Sequence, residues 1–334
     1  MGKLVQIIVA LALLWSGWWW SAATLLDRGI GTWLDDRRAE GWQAEIGAVD
    51  VAGFPLALGT SLETLLLADP VAGLAVNAES LHLSVPAYWP GDVTLTLPDT
   101  PLRIATPEHI LFLSAPQAKA ELKLHPGFAL QLEQLSARSG PWMLNTSAGN
   151  LLSAEDLDAE VTQDAQTAES YRFAMTARGF APGDLIRSAM LLPEDWPLAF
   201  DTLIADVNLR FDLPLDRSTI EDRRPQPRQI AIDRLDLIWG TMRLTAAGAL
   251  EVNPQGIPDG EVNLRLENWR QLLDLVEKAG TLDARMRGQA DLLLTALANM
   301  GGDPDTLDLT LTMRNGQMFL GPIQLGPAPL LILR

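Results

Sequence analysis

Val262-Asn263-Leu264-Arg265-Leu266-Glu267 and Leu307-Asp308-Leu309-Thr310-Leu311-Thr312-Met313-Arg314 decide the fold of this chain. In both stretches every second residue is apolar and the residues between are polar or charged. Side chains alternate across a strand, so this spacing gives one apolar and one wet face. Parallel sheets bury both faces, whereas antiparallel sheets tolerate water on one, and the pattern therefore predicts antiparallel sheet. The same alternation recurs at Val93, Leu95 and Leu97 against Thr94 and Thr96, and at Leu122 and Leu124 against Glu121 and Lys123. Turn-forming runs separate the strands: Pro90-Gly91-Asp92, His125-Pro126-Gly127, Asn253-Pro254-Gln255-Gly256, Pro258-Asp259-Gly260 and Asn315-Gly316. Asn315-Gly316 suits a tight hairpin, because both residues tolerate positive φ. The expected fold is mainly β with a few helices, a long antiparallel meander forming a curled groove or a sandwich.

Working outward from the strands, three helical stretches interrupt the pattern. Asn268 can cap a helix reaching about Ala279, with Gln271 in a capping-box-like position and Trp269, Leu272, Leu273 and Val276 on one face. Leu282 to Asn299 and Gly183 to Leu192 are the others. Asp216 to Gln229, charged and proline-bearing, is the best candidate for a linker or long loop. It suggests two sub-halves, 41–215 and 230–334, within a β-rich domain spanning 41–334. Acid-rich Asp156 to Ser170 is a second candidate for an exposed excursion.

Residues 1–40 form a different region. From Leu4 to Leu26 the sequence LVQIIVALALLWSGWWWSAATLL carries no charge. As a helix this stretch is roughly 34 Å long, enough to cross the hydrocarbon layer of a bilayer. Trp15, Trp18, Trp19 and Trp20 lie towards its far end, where indoles favour the membrane interface. A cleaved signal peptide is the competing reading, with Ser21 and Ala23 as small residues before a cut. The very short charged region ahead of the apolar run and the bulky indoles in the cleavage zone favour a retained anchor. The helical pattern continues from Thr24 to Ala39, prolonging the anchor or lying across the membrane surface. Arg28, Arg37 and Arg38 follow the apolar run and only Lys3 precedes it, but long downstream domains translocate largely regardless of such charges. The expected placement is a single-pass membrane protein with its large domain outside the cytoplasm.

Composition excludes several chemistries. Forty-two acids against 25 bases give a net charge of −17, which repels phosphate backbones, so nucleic acid is not an expected partner. The chain has no cysteine, hence no disulfide, thiolate metal site or cysteine nucleophile. Signatures for serine hydrolases, nucleotide-binding loops, dinucleotide folds and zinc proteases are missing. His82, His109 and His125 stand apart in sequence, and Asp156, Asp158 and Glu160 read as a solvated strand face rather than a calcium site. No catalytic residue, metal ligand or cofactor is expected, although 42 acids leave room for a hydrolase with unrecognised carboxylates.

Long strands with a continuous apolar face admit two architectures. In a closed sandwich the faces meet as a core. In an open, curled sheet they line a groove able to hold acyl chains. Leu264, Leu266, Leu309 and Leu311 are the candidates for either lining. Gly41-Trp42, Gly53-Phe54-Pro55, Tyr88-Trp89-Pro90, Asn315-Gly316 and Leu325-Gly326-Pro327 resemble a bacterial envelope family known as domain of unknown function 2125. These motifs are structural in kind, and the family offers no catalytic residues to carry over. More distantly, the layout resembles the AsmA and TamB group, which pairs one inner-membrane helix with a periplasmic β groove and is associated with phospholipid movement. The resemblance implies an anchor in the inner membrane and a large domain in the periplasm. It also implies membrane lipid as a partner, through the anchor and as an acyl-chain ligand, in a non-catalytic role in envelope lipid homeostasis. The alternative is an assembly protein with a closed core that docks other envelope proteins.

Overall fold

The computed structural model describes residues 2–71, 73–89, 91–221, 224–278, 284–321 and 323–333. Pro90, Ala279 and Leu282, which belong to a motif and two helix boundaries read from the sequence, lie outside the described residues. The chain is mostly β, and the described strand pairings are antiparallel, as the alternation requires. It divides into two compact units, Met1–Lys123 with Leu144–Ser147, and Leu124–Met143 with Ala148–Arg334.

The first unit opens with α1 (Gly2–Ala39), one unbroken helix that joins the apolar run to its amphipathic continuation. At 1.5 Å per residue it is about 57 Å long, well beyond one hydrocarbon layer. Strands β1 (Gln43–Glu45), β2 (Ala48–Ala52), β3 (Ala57–Asp69), β4 (Leu74–Pro86), β5 (Asp92–Thr96), β6 (Leu102–Ala105), β7 (Ile110–Ser114) and β8 (Lys119–Leu124) follow. The frame is the long β3–β4 hairpin, in register from Ala57↔Pro86 to Asp69↔Leu74. β1 and β2 share the outer edge of β3. The outer edge of β4 is divided between β5, which continues to β8, and β6, which continues to β7. Leu65, Ala78 and Leu102 form its core, with Ile46, Leu67, Leu81, Leu97 and Leu113 packed around them.

The second unit contains β9 (Leu132–Ser139), β10 (Trp142–Thr146, which the division cuts), β11 (Gly149–Ala154), β12 (Asp156–Gln163), β13 (Ser170–Arg178) and β14 (Ala181–Pro182). Then come α2 (Asp184–Ala189), β15 (Thr202–Phe211), α3 (Ser218–Glu221), β16 (Pro227–Trp239), β17 (Met242–Val252) and β18 (Pro258–Glu267). Helices α4 (Arg270–Lys278) and α5 (Ala284–Gly301) precede β19 (Thr306–Arg314), β20 (Gln317–Leu320) and β21 (Ile323–Pro327). Its main sheet runs β9-β12-β13-β15-β16-β17-β18-β19-β20-β21 and is not closed. Asn315 and Gly316 adopt φ of 51° and 70° between β19 and β20, the tight hairpin their chemistry favours.

The segment 216–229, expected as a linker or a long loop, is a long connection leading from β15 into β16, its neighbour in the sheet, which it enters at Pro227, and the division of the chain falls near Lys123. A long exposed connection and a domain linker share the same charged, proline-bearing composition, so composition alone does not separate them. Two other sequence expectations change. Asp156–Gln163 is the interior strand β12, its acids alternating with Leu157, Ala159 and Val161. The capping box at Asn268 is replaced by a tie to the β16–β17 turn. Asn268 takes φ 57°, its amide donates to the Thr241 carbonyl at 2.5 Å, and Gln271 donates to the Thr241 hydroxyl.

Two devices keep the faces of this sheet in phase. Asp233 is an extra residue in β16, so that Val207 opposes Ile232 and Asp206 opposes Arg234. The bulge leaves Leu235, Leu237 and Trp239 on the same face as Ile230 and Ile232, as bulges do when they re-aim a strand. Across from it, Gly248 lies so close to β18 that a Cβ would come within 2.3 Å of the Glu261 carbonyl oxygen.

On the opposite face, charges pair across strands. Arg138 meets Asp158 at 3.1 Å, Arg178 meets Asp156, Arg172 meets Asp206, and Arg265 meets Asp308 at 3.3 Å. The arginine partners hold the Asp156 and Asp206 carboxyls below the usual carboxylate range. Exposed pairs of this kind contribute little individually. Asp236 differs, because its side chain is buried and accepts from both Arg243 at 2.8 Å and Arg234 at 2.7 Å. The Arg243 hydrogen bond, reinforced by Arg234, lowers its pKa from 3.8 to about 2.

Gly248→Val is expected to destabilise the chain by about 3 kcal/mol or more, since backbone atoms rather than a movable side chain occupy the space. Urea unfolding measures this. Because the Asp236 pKa is depressed on folding, its stabilisation is complete above about pH 4 and lost as pH falls towards about 2. Asp236→Asn should therefore remove on the order of 1–2 kcal/mol at neutral pH and flatten the fall in the urea midpoint between pH 4 and pH 2.

Candidate functional site

The register of the ten-stranded sheet assembles its apolar residues into rows that cross from strand to strand. One row runs Ala159, Met175, Ala205, Leu235, Ala246, Leu264, Leu309. The next runs Val161, Phe173, Val207, Ile232, Gly248, Val262, Leu311. Seven strands at about 4.8 Å spacing give a row of about 29 Å.

Both ends of this face are filled. At one end α4 and α5 pack down, and Trp239, Met242, Leu266, Trp269, Leu275, Ala298 and Leu307 form a buried cluster. The indoles there are fixed by carbonyls: Trp239 Nε1 donates to Pro197 at 2.9 Å and Trp269 Nε1 to Pro304 at 3.1 Å. Trp196 meets Trp239 edge-on at 5.6 Å. At the other end Tyr171 and Phe211 pack edge-to-face at 6.1 Å. The Tyr171 hydroxyl accepts from the Leu215 amide at 2.9 Å and from Gln163 at 3.2 Å. Burial pushes this phenol above its ordinary pKa.

Between the two plugs the apolar face is only partly covered. Ala246, Leu250, Val262 and Met313 are buried, with Ile230, Ile232, Leu235, Leu264, Leu311 and Met318 half-buried around them. All ten come from the consecutive strands β16 to β20. Further along the face Met175 is 36% exposed and Leu135 37%.

The four leucines singled out by sequence separate here. Leu264 and Leu309 oppose each other directly, and Leu311 opposes Val262, all three half-buried in the central rows. Leu266 opposes Leu307 inside the tryptophan cluster and is 9% exposed, a core position. The sequence reading passed over Phe173, Met175, Val207, Ile232 and Leu235, which complete the rows. Their period-two signal is present in Tyr171-Arg172-Phe173-Ala174-Met175 and in Leu203 to Leu209, but small alanines dilute it.

The polar face carries its own depressions. A cavity of about 670 Å³ is lined by Arg210, Arg228, Asp212, Glu251 and Asp259 among others, with Arg228 paired to Asp212 at 3.1 Å. Asp156, Asp158 and Glu160 do not converge: two are paired with arginines, and Glu160 accepts from Gln134 at 2.5 Å and Thr162 at 3.0 Å. Among the described residues no three His, Asp or Glu side chains form a metal-holding group.

A second constellation lies in the first unit, where α1 is long and apolar enough to cross a membrane. Trp15, Trp18 and Trp19 occupy one helix face at i, i+3 and i+4. Their indole N–H groups donate to Pro55 at 2.8 Å, Ala87 at 3.2 Å and Ala57 at 2.9 Å. Trp19 also meets Phe54 edge-on at 5.5 Å. The Gly53-Phe54-Pro55 motif thus forms part of the helix socket. Gly53 has φ 104°, and a Cβ there would approach the Ala57 carbonyl oxygen to 2.8 Å, while the Phe54–Pro55 peptide is cis. Trp89 of the second motif folds its indole over Gly91, leaving no room for a side chain. Trp20 points elsewhere and is 69% exposed.

No curated protein matches this chain. A family model described as an uncharacterized protein conserved in bacteria, DUF2125, matches residues 19–329, from Trp19 in the helix to beyond the last strand. The bends gathered at the helix socket and the hairpin at Asn315-Gly316 therefore sit in a chain that belongs to the DUF2125 family.

Proposed function

We propose that this protein is anchored in the bacterial inner membrane by α1, with its β units in the periplasm, and that the central apolar rows of the second unit hold acyl chains in a non-catalytic lipid-handling role. The observation that carries the reading is the uneven cover of one continuous apolar face. Its ends are closed by aromatic clusters, against one of which Leu309 packs, while Leu235, Leu264 and Leu311 between them stay half-buried. Water contact with such a row is unfavourable by roughly 25 cal/mol per Å² of apolar surface, and an alkyl chain laid along it removes that contact. A row of about 29 Å is comparable to the hydrocarbon thickness of a bilayer, hence long enough for an acyl chain of either leaflet.

The test is site-specific photocrosslinking in bacterial cells expressing the full chain. A photoreactive residue at Leu264 or Leu311 should give light-dependent phospholipid adducts, and one at Thr310, on the polar face, should not. Leu264→Asp with Leu309→Asp should abolish the adducts at Leu311 while leaving urea unfolding cooperative. By contrast Leu307→Asp, in the core cluster, should unfold the second unit, at a cost of about 3 kcal/mol or more. Adducts equally absent from all positions would favour a closed core and a protein-docking role.

A further inference from the structure

The socket that receives Trp15, Trp18 and Trp19 also fixes where the bilayer surface meets the first unit. From Leu4 to Leu14 the large apolar side chains of α1 are more than half exposed. That stretch ends at Trp15, the first indole held by the loop that leads from β2 into β3. Lys3 to Trp20 measures about 27 Å of helix, close to one hydrocarbon thickness. The carbonyls of Pro55, Ala57 and Ala87 are therefore level with the end of the span, within one or two helical turns.

The two loops that supply these carbonyls present large apolar side chains outward. Phe54 is 55% exposed, Leu56 71% and Tyr88 71%. A scattered exposed apolar residue needs no explanation. Three on adjacent loops, beside an unpartnered apolar helix, form one surface continuous with that helix. Aromatic rings with a polar tip or edge favour the headgroup boundary, where one end is apolar and the other wet.

We propose that the 53–57 and 86–89 loops are a lipid-contacting foot, with Phe54, Leu56 and Tyr88 seated in the headgroup–acyl boundary. Resting on the reading of α1 as a membrane span, the foot fixes the height and tilt of the β3–β4 hairpin over the bilayer. The occupant is the lipid interface itself. The opposite end of the hairpin, at Val71, then stands away from the membrane by about 40 Å, the length of a 13-residue strand.

The chain has no cysteine, so single cysteines can be introduced without background. Full-length Leu56→Cys, Tyr88→Cys, Val71→Cys and Leu11→Cys variants are labelled with a small environment-sensitive fluorophore. They are placed in nanodiscs of phosphatidylethanolamine and phosphatidylglycerol with or without doxyl-labelled lipid. The foot requires quenching by the doxyl lipid at positions 56 and 88 several-fold above that at 71, with 11 quenched most strongly. Quenching at 11 alone, with 56 and 88 no different from 71, overturns the foot and leaves the membrane span standing. Absence of quenching at 11 overturns both. Because Leu56, Tyr88 and Val71 are all exposed, these substitutions leave the fold intact, and near-ultraviolet circular dichroism of each variant checks it.

Discussion

Everything distinctive in the second unit depends on the backbone register of one antiparallel sheet. Side chains alternate strictly along each strand, so a slip of one residue between two neighbours would move a whole strand's leucines to the wet face. From β12 to β19 the register keeps apolar opposite apolar at every step, Val161 through Phe173, Val207, Ile232, Gly248 and Val262 to Leu311. The bulge at Asp233 is compatible with this because it adds a residue on the polar side and returns Leu235 to the apolar face. The same bulge aims Arg234 at Asp236, so one irregularity serves both faces.

The two faces solve different problems. The polar face joins neighbouring strands through arginine–aspartate pairs, which add specificity of register more than stability, because like charges in the wrong register would repel. Asp236 is the exception, buried and doubly paired, and its replacement tests the fold rather than the surface. The apolar face is anchored at its ends by aromatics: the Trp239 and Trp269 indoles donate to the Pro197 and Pro304 carbonyls, the Tyr171 hydroxyl accepts from the Leu215 amide, and the buried Trp196 Nε1 has no hydrogen-bond partner among the described residues. Pairing lets the Trp239 and Trp269 indoles be buried without an unmatched donor. Among the described residues no such aromatic plug closes the centre of the face, and the half-buried leucines there give the acyl-chain reading its physical basis.

In the first unit the tryptophans act in two capacities. Trp15, Trp18 and Trp19 satisfy their indole donors on loop carbonyls, which ties a helix of about 57 Å to the end of a hairpin. Trp20, on another face, remains exposed. One cluster of indoles thus combines a structural socket with a surface suited to the membrane boundary.

The sequence by itself determined the antiparallel class, the apolar N-terminal helix and the tight hairpin at Asn315-Gly316, because each follows from local periodicity, composition or a left-handed φ preference. It also identified Leu264, Leu309 and Leu311 as facing one way. It left Asp216–Gln229 as a linker or a long loop, since the two share composition, and it misread Asn268 as a cap, since a cap depends on where the side chain finds a partner. Tertiary structure decided that Leu266 is core while Leu264 is half-covered, although the two are identical in sequence pattern. It also decided that Gly53-Phe54-Pro55 meets Trp19. The reason is physical: periodicity fixes which face a side chain takes, but how far that face is covered depends on what distant segments, here α4, α5 and the loop carrying Leu215, bring against it.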